Sequence, residues 1–190
     1  MAYSGFDLSG KAAFVTGASR GIGRAIALGL AESGVALFLC SRTLADLQAV
    51  AREVRARDRK AEVAAVDVGS VESIQAGVGA ALRTFGQIDI LVNNAGINKP
   101  LPALEVTEDN FNEHATVNLK GLFFCAQAVG RTMVARRTGK IINISSTLGI
   151  VGAAPRSVYS MTKGGSPSSR RRSPWNGPPS TSTSTPSAPR

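Results

Sequence analysis

Tyr159 and Lys163, in the stretch YSMTK, have the residue types and the spacing from which proton-transfer chemistry can be built. A tyrosine with an unperturbed pKa of about 10 exchanges protons poorly at neutral pH, but a nearby ammonium favours the phenolate and lowers that pKa. Residues four apart share one face of a helix. The pair therefore predicts a general acid with its electrostatic partner. Taken singly, a half-buried packing tyrosine and a solvated lysine remain alternatives.

The residues after this pair change character abruptly. The stretch GGSPSSRRRSP holds two glycines, which cost about 1 kcal/mol each inside a helix, and prolines, which cost about 3. We therefore predict that the helix carrying Tyr159 and Lys163 ends within a turn. Residues 166–190 are rich in Pro, Ser, Thr and Arg without apolar periodicity, so we predict a disordered tail.

Before the tail, short apolar runs alternate with longer amphipathic segments. Buried strands are predicted at 12–16, 36–40, 62–66, 88–92 and 140–144. Helices are predicted at about 21–33, 71–85 and 107–136, and a further charged helix is predicted to begin after Thr43, which would cap it. This alternation predicts an α/β fold of the Rossmann-like, doubly wound kind, with a parallel sheet covered on both faces.

The first predicted strand runs directly into TGASRGIGRA, where Gly17, Gly21 and Gly23 are spaced as GxxxGxG. Glycines permit a tight turn and close backbone approach, and the following helix presents unpaired N–H groups to a pyrophosphate. A ligand-free tight turn is the alternative. The combination of strand, glycines and helix favours a dinucleotide site.

Two arginines indicate which dinucleotide would bind. The second predicted strand ends in Cys40-Ser41-Arg42, with no carboxylate that could bind the ribose 2′-hydroxyl of NAD, and Arg20 lies in the glycine loop. An arginine at this place accommodates the 2′-phosphate of NADP. We therefore predict NADP rather than NAD, with solvated surface arginines as the alternative.

Composition excludes several other classes of function. Cys40 and Cys125 lie in apolar runs, which predicts buried free thiols without a disulfide or a metal site. The net charge of +9 divides into +5 over residues 1–163 and +4 over 164–190. The moderately basic part at 1–163 suits a binder of an anionic cofactor as much as a binder of nucleic acid. No signal peptide or membrane-spanning run is recognisable, so a cytoplasmic protein without membrane contact is expected.

Further motifs give the chain a family resemblance. Over residues 7–165 it resembles the short-chain dehydrogenase/reductase family with TGxxxGxG and YxxxK motifs. Asp67-Val68 is similar to the pair that meets the adenine, and residues 93–96 resemble the NNAG motif along the cofactor. Asn118 in VNLKG and Ser146 in ISSTLG complete, with Tyr159 and Lys163, the family's catalytic tetrad.

The resemblance implies the function. It implies an NADP-dependent oxidoreductase that interconverts a ketone and a secondary alcohol, similar to 3-oxoacyl reductases or to sugar and polyol dehydrogenases, acting on a small molecule as a homo-oligomer. Ser146 would bind the substrate oxygen, and Asn118 would position a helix break and a proton-relay water. The implied cofactor contacts are Gly17, Ser19, Arg20, Gly21, Ile22, Gly23, Arg42, Asp67, Val68, Asn94, Ala95, Gly96, Tyr159 and Lys163.

The tail suggests a second reading of the nucleotide sequence. The tail can be back-translated into its possible codons, and each codon can then be started one nucleotide earlier. From Ser166 this shifted frame permits Val-Ser-Gln-Leu-Thr-Lys-Ala. From Ser180 to Pro189 it permits Ile-Asn-Ile-Asn-Val-Asn-Ala-Ile-Gly-Pro. These words resemble the helix, sixth strand and turn with which the family continues. The expectation is a family domain at 1–165, incomplete after its fifth strand, followed by a frameshift product at 166–190.

An incomplete domain gives the alternative function, a catalytically inactive fragment with at most residual nucleotide binding. An uncovered fifth strand would be an open hydrophobic edge. Domain stability is only about 5–15 kcal/mol, so the loss of two strands could remove it. For the chain as it stands we expect poor folding and no measurable dehydrogenase activity.

Overall fold

The predicted parallel sheet is present in the computed structural model, which describes residues 7–171, the segment 166–171 by its backbone alone. The described residues form five strands in the order β3-β2-β1-β4-β5, and every pairing among them is parallel. Their bounds are β1 Ala12–Thr16, β2 Ala36–Ser41, β3 Ala61–Ala65, β4 Ile90–Asn93 and β5 Lys140–Asn143. The predicted fold class is confirmed. Because the strand order reverses between β1 and β4, a crevice opens at their C-terminal ends, the usual ligand position in such sheets.

Within residues 7–171, six α-helices connect and cover the strands. Their bounds are α1 Gly21–Glu32, α2 Leu44–Arg55, α3 Val71–Phe85, α4 Glu108–Ala115, α5 Leu122–Arg136 and α6 Ser157–Arg171. The helix predicted at 107–136 is interrupted by a π-helical segment, Thr116–Gly121. The prediction that the Thr43 side chain caps α2 is wrong. Thr43 precedes α2, but its side chain caps nothing, and its N–H donates to Ser41 Oγ at 3.2 Å.

The core lies on the two faces of the sheet. Val15 and Leu39 face one way and pack with α1 and α2, whereas Phe14 and Phe38 face the other way and pack with α3 and α5. Because consecutive strand residues point to opposite faces of the sheet, the same strands supply core side chains to the helix layers on both sides. The stacked rings of Phe14 and Phe38, 5.5 Å apart, hold β1 against β2 on the α3 side.

Both cysteines are buried free thiols, as predicted. They lie in the same apolar cluster, on the α3 side of the sheet. Burial raises the pKa of Cys125 to about 12 and that of Cys40 well above its ordinary value. Both side chains therefore remain protonated near neutral pH and serve as small apolar groups.

Helix α6 corrects the prediction that the helix would end within a turn of Lys163. It continues to Arg171, through Pro167. A proline at 167 has no N–H for the Lys163 carbonyl, but Ser145 Oγ donates to that carbonyl at 3.2 Å. A Cβ at Gly149 would lie 2.6 Å from the same oxygen, so only glycine allows this close backbone packing. Tertiary contacts thus override local propensity. The rest of the predicted disordered tail, 172–190, lies outside the described residues.

Strand β5 is the least covered of the strands that carry the site. Every residue of β4 is buried, whereas those of β5 alternate between exposed and half-buried. Ile142 is 45% exposed on a sheet whose central strands are closed to solvent. Within residues 7–171, β5 pairs on one side only, with β4.

At the opposite end of the sheet, Asp89 joins three elements. Its carboxylate accepts from the Ala12 N–H at 2.9 Å and from Arg136 at 2.8 Å, with Lys11 at 4.0 Å. Burial alone would raise the pKa of Asp89, but these hydrogen bonds and positive charges outweigh it and lower the pKa below its ordinary value. The stabilisation is present above the carboxyl group's unfolded pKa and is lost as pH falls through the folded pKa.

We predict that Asp89→Asn lowers the free energy of unfolding by about 1–3 kcal/mol at neutral pH, because it removes the charged partner of a buried network. Urea unfolding at neutral and acidic pH measures this. The difference from the wild type should shrink as the wild-type carboxyl becomes protonated. Glu62→Gln, at an exposed position on β3, is the control and should change little. A penalty independent of pH would contradict the electrostatic account.

Candidate functional site at the carboxyl ends of the strands

The hydroxyl of Thr16, the last residue of β1, joins the two loops that border the crevice. Thr16 Oγ1 donates to the Val92 carbonyl at 3.3 Å and accepts from the N–H groups of Asn94 and Ala95, both at 3.0 Å. In return, Asn94 Nδ2 donates to the carbonyls of Thr16 and Gly17, both at 3.0 Å. We call these contacts the Thr16–Asn94 clamp. The clamp fixes the glycine loop against the loop that follows β4.

Two glycines of the predicted loop are required by this contact. Gly17 has φ +64°, and a Cβ there would lie 2.9 Å from both Ala95 Cα and Asn94 Nδ2. A Cβ on Gly23 would overlap the Gly17 carbonyl and lie 2.5 Å from Asn94 Nδ2. The loop therefore has no room for side chains on the side of the clamp.

The start of α1 is suited to an anion. No acidic residue lies in its first turn and no side chain caps it, so its N–H groups are available at the positive end of the helix. Arg20 is the N-cap residue and is exposed, as are Gly21 and Ile22, and Ser19 is half-buried. Arg42 is exposed directly after β2.

Asp67 and Val68 follow β3 at the same edge of the sheet. Asp67 is exposed, and its Oδ1 accepts from the Gly69 N–H at 2.8 Å, which forms a tight turn. Val68 is buried against the π-helical segment, where a Cβ on Gly121 would lie 2.7 Å from the Val68 carbonyl oxygen. Both predicted residues thus lie at the carboxyl end of the sheet, Asp67 exposed and Val68 buried.

Asn118 lies in the π-helical segment, and all of its amide is used. Its Oδ1 accepts from the Ile97 N–H at 2.8 Å, while Nδ2 donates to the Ile97 carbonyl and to Thr162 Oγ1, both at 3.0 Å. A π-helical turn widens the helix locally and turns the buried amide towards the loop after β4. Asn118 therefore connects that loop with α6 beside Lys163.

Lys163 is 6% exposed and faces Tyr159 one helical turn away. Its Nζ donates to the Ile144 carbonyl at 2.8 Å and lies 5.8 Å from the centroid of the Tyr159 ring. Burial lowers the pKa of Lys163 below its ordinary value. A Cβ on Gly96 would lie 3.5 Å from Nζ and 3.3 Å from Asn118 Oδ1. The structure therefore brings Gly96, Asn118, Tyr159 and Lys163 together.

Ser146 follows β5 and caps the short turn Thr147–Gly149, with its Oγ accepting from the Leu148 N–H at 3.2 Å. Its neighbour Ser145 makes the hydrogen bond to the Lys163 carbonyl described above. Lys163 is thus held by the end of β5 at both its ammonium and its backbone carbonyl. The predicted serine stands beside this attachment.

Sequence reasoning missed several residues that shape the site. Thr16, Ser145 and Thr162 are small hydroxyl residues whose partners are distant in sequence, so no local pattern reveals them. His114 is 1% exposed, accepts from the Lys99 N–H at Nε2 (3.1 Å) and hydrogen-bonds the Asn110 carbonyl through Nδ1 (2.7 Å). His114 is the single histidine of the chain, so among these residues it was the easiest to single out from the sequence.

Two features are absent from the part of the chain that the structure describes. Within residues 7–171, no group of three or more His, Cys, Asp and Glu side chains is arranged to hold a metal ion. None of the helices in that part of the chain is long and apolar enough to cross a bilayer.

Comparisons with known proteins agree with this geometry. Residues 11–169 match the family model described as short chain dehydrogenase. A gluconate 5-dehydrogenase of Gluconobacter oxydans is 41% identical over 162 residues, which cover 84% of this chain and 62% of that protein. The chain therefore spans less than two thirds of this relative.

Two solved structures are also similar. One is a NAD+-bound xylitol dehydrogenase, with a TM-score of 0.80 and 36% identity. The other is a single-substitution variant of an actinorhodin polyketide ketoreductase with NADPH, with a TM-score of 0.79 and 36% identity. Each match covers 82% of this chain and 60% of the other. Similar structures thus include complexes with both dinucleotides.

Gly23 gives a test of the clamp with a control in the same helix. We predict that Gly23→Ala lowers the free energy of unfolding by about 1–3 kcal/mol, because its Cβ meets the Gly17 carbonyl. Gly29→Ala, where a Cβ meets nothing within 4 Å, should raise it by up to about 1 kcal/mol. Urea unfolding measures both variants. Equal effects of the two substitutions would show that the glycine loop is not closely packed.

Proposed function

This chain belongs to the short chain dehydrogenase family, and from that membership we propose that its site catalyses NADP-dependent interconversion of a ketone and a secondary alcohol. The observation that carries the proposal is the position of Lys163, a buried ammonium beside the Tyr159 ring. A buried lysine held by the end of β5 has little structural reason to face a tyrosine at the crevice. It is explained if the tyrosine exchanges a proton.

The residues around the crevice fit a dinucleotide. The uncapped start of α1 and the glycine loop would hold the pyrophosphate, because N–H groups face outwards and no Cβ intervenes. Asp67 and Val68 would meet the adenine, and the loop at 94–96 would lie along the ribose and nicotinamide. Arg20 and Arg42, both exposed, would bind a 2′-phosphate. When bound, the reduced nicotinamide supplies the hydride.

The chain's own residues would handle the proton. Tyr159 donates its phenolic proton to the oxygen of the substrate as negative charge develops there. Lys163 stabilises the resulting phenolate electrostatically, and burial strengthens this interaction because solvent screens it less. Ser146 hydrogen-bonds the substrate oxygen. Asn118 acts through position, because its amide connects Ile97 in the loop after β4 with Thr162, the residue before Lys163.

We propose the substrate, the location and the assembly of the whole protein on the same basis. The substrate is a small carbonyl compound or alcohol, of the oxoacyl or of the sugar and polyol kind, and the protein is cytoplasmic. A homo-oligomer is supported by Phe111 and Phe123, which expose 41% and 48% of their surface on α4 and α5. The basic residues carry no role in nucleic-acid binding.

A second candidate for the chain as it stands is an inactive fragment with at most residual nucleotide binding. The observation that favours it is the half-exposed Ile142 on β5, since an uncovered apolar edge strand favours aggregation over a stable fold. An early end of the helix that carries Tyr159 and Lys163 would be a second reason for inactivity. This reason does not apply, because α6 continues to Arg171.

We also propose that residues from about 166 onwards are encoded in a shifted reading frame. The support is the series of apolar and Asn codons that the shifted frame permits in place of the alternating Ser and Thr. Resequencing the gene across codons 160–170 tests this proposal. A confirmed sequence in the present frame, in independent isolates, would contradict it.

The cofactor proposal predicts that NADPH binds more tightly than NADH. Arg42→Asp should reverse this preference, because a carboxylate repels the 2′-phosphate and binds a ribose hydroxyl. Fluorescence titration of both dinucleotides against the wild type and the variant measures the ratio of dissociation constants. Arg52→Asp, on the exposed face of α2, controls for net charge. A wild type that already prefers NADH would overturn the assignment of the arginines.

The catalytic proposal predicts that Tyr159→Phe abolishes carbonyl reduction and leaves NADPH affinity nearly unchanged. The ring remains for packing, and only the proton donor is lost. We would measure NADPH consumption in a version of the chain with one base restored near codon 165. Substantial turnover by the variant would show that Tyr159 is structural.

The same frame-restored version separates the two candidate functions. If the fragment candidate is correct for the present chain, only the restored version shows cooperative melting and NADPH-dependent carbonyl reduction. Equal soluble yield, melting and turnover in both would exclude the fragment candidate. Turnover in neither, with both folded, would exclude the oxidoreductase.

A further inference from the structure

Lys99, in the loop after β4, is held by one face of α4. Asn110, Glu113 and His114 lie three and four residues apart on this helix, so their side chains share that face. The Lys99 N–H donates to His114 Nε2 at 3.1 Å, and the Lys99 carbonyl accepts from Asn110 Nδ2 at 3.2 Å. The Lys99 ammonium pairs with Glu113 at 2.7 Å. Helix α4 therefore holds the loop at both the backbone and the side chain of this residue.

These contacts differ in their exposure to solvent. Lys99 and Glu113 expose 58% and 38% of their side chains, and an exposed ion pair of this kind contributes little to stability. His114 is 1% exposed. Loss of a buried acceptor is more costly, because the N–H group that it served is left without a partner. The position of Lys99 therefore depends mainly on His114.

Both ring nitrogens of His114 have a defined role. A carbonyl oxygen only accepts, so Nδ1, 2.7 Å from the Asn110 carbonyl, must carry a hydrogen atom and donate. A backbone N–H only donates, so Nε2 must be without hydrogen to accept from Lys99. The surroundings thus select the neutral ring with its hydrogen on Nδ1. An apolar side chain could fill the same buried space, but it would offer Lys99 no acceptor.

The hydrogen bond at Lys99 lies close in sequence to contacts that shape the site. Two residues earlier, Ile97 is held by Asn118 at both its N–H and its carbonyl. Gly96 lies so near Lys163 that a Cβ would be 3.5 Å from Nζ. The clamp described above fixes the start of the same loop. A fixed Lys99 therefore leaves the segment between the clamp and α4 little freedom to move.

From these contacts we propose that His114 is a positioning residue for the nucleotide site. By holding Lys99 it keeps residues 94–98 in the conformation in which the loop receives the dinucleotide, although His114 itself does not touch the ligand. The proposal rests on the proposed function, in which this loop lies along the ribose and nicotinamide. A loop that is already ordered loses less conformational freedom when a ligand binds, so the affinity is higher.

The test compares two amide side chains of different reach. His114→Gln can place an amide oxygen where Nε2 lies, whereas His114→Asn can replace only the Nδ1 contact with Asn110. In the asparagine variant we expect faster solvent exchange of the Ile97 amide and a dissociation constant of NADPH raised about three- to tenfold, the effect of one lost hydrogen bond. The glutamine variant should remain close to the wild type. If the asparagine variant does not fold, His114→Leu takes its place.

Amide exchange is measured by NMR, NADPH affinity by fluorescence titration and folding by circular dichroism, in the chain as it stands and in the frame-restored version. Glu113→Gln is the matched control. It removes the exposed contact of the same helix with Lys99, so it should change neither the exchange of the Ile97 amide nor the affinity for NADPH.

The wild type offers a measurement that needs no substitution. His114 is the single histidine of the chain, so its ring ¹⁵N signals can be identified directly. At neutral pH we expect a protonated Nδ1 and an unprotonated Nε2. A ring with its hydrogen on Nε2 would overturn the proposal, because such a ring cannot accept from Lys99.

The outcomes separate the positioning role from the proposed function. If the wild type binds NADPH, and folded His114→Asn shows unchanged Ile97 exchange or unchanged NADPH affinity, the proposed function stands and the positioning role is refuted. Equal losses in the asparagine and glutamine variants would also refute it, because packing of the ring would then matter and not its acceptor. No NADPH binding by any of the folded proteins, with Ile97 exchange that still depends on the acceptor, would refute the proposed function and leave His114 as the residue that orders this loop.

Discussion

The hydroxyl of Thr16 makes three hydrogen bonds at the end of β1, and the arrangement of the site depends on them. Parallel strands bring their C-terminal ends to one edge of the sheet, but they do not by themselves fix the loops that follow. The clamp between Thr16 and Asn94 fixes two of those loops against each other. It also explains why Gly17 and Gly23 must lack side chains, because Asn94 occupies that space. The positions of the glycine loop and of Gly96 beside Lys163 both follow from one set of polar contacts.

Much of the fold could be predicted because a buried parallel strand reads as a short apolar run. The first strand was predicted at 12–16 and helix α3 at 71–85, and both have these bounds. The cap of α2 was predicted at the right residue but with the wrong bonding, because the Thr43 side chain makes no capping hydrogen bond and the Thr43 N–H donates to Ser41 Oγ. The length of α6 was predicted wrongly for a related reason. Propensity correctly describes the cost of Pro167, but the compensating donor, Ser145, is 22 residues away in sequence and becomes visible only in three dimensions.

The site residues show the same division. Glycine spacing and the Tyr159–Lys163 spacing are local, so they could be recognised from sequence, and the structure adds how they are held. Lys163 is attached to the end of β5 twice, so the geometry of the tyrosine–lysine pair depends on a strand that carries a half-exposed isoleucine. The positions of Tyr159 and Lys163 therefore depend on how firmly the end of β5 is held in the sheet.

The affinity for NADPH in variants of Thr16 tests most directly whether the clamp builds the nucleotide site. Thr16→Val keeps the shape of the side chain and removes its hydroxyl, while Thr16→Ser keeps the hydroxyl. Fluorescence titration, with circular dichroism to verify folding, should give a dissociation constant raised roughly tenfold in the valine variant and nearly unchanged in the serine variant. Equal NADPH affinity in all three folded proteins, or no NADPH binding by the folded wild type, would contradict the account.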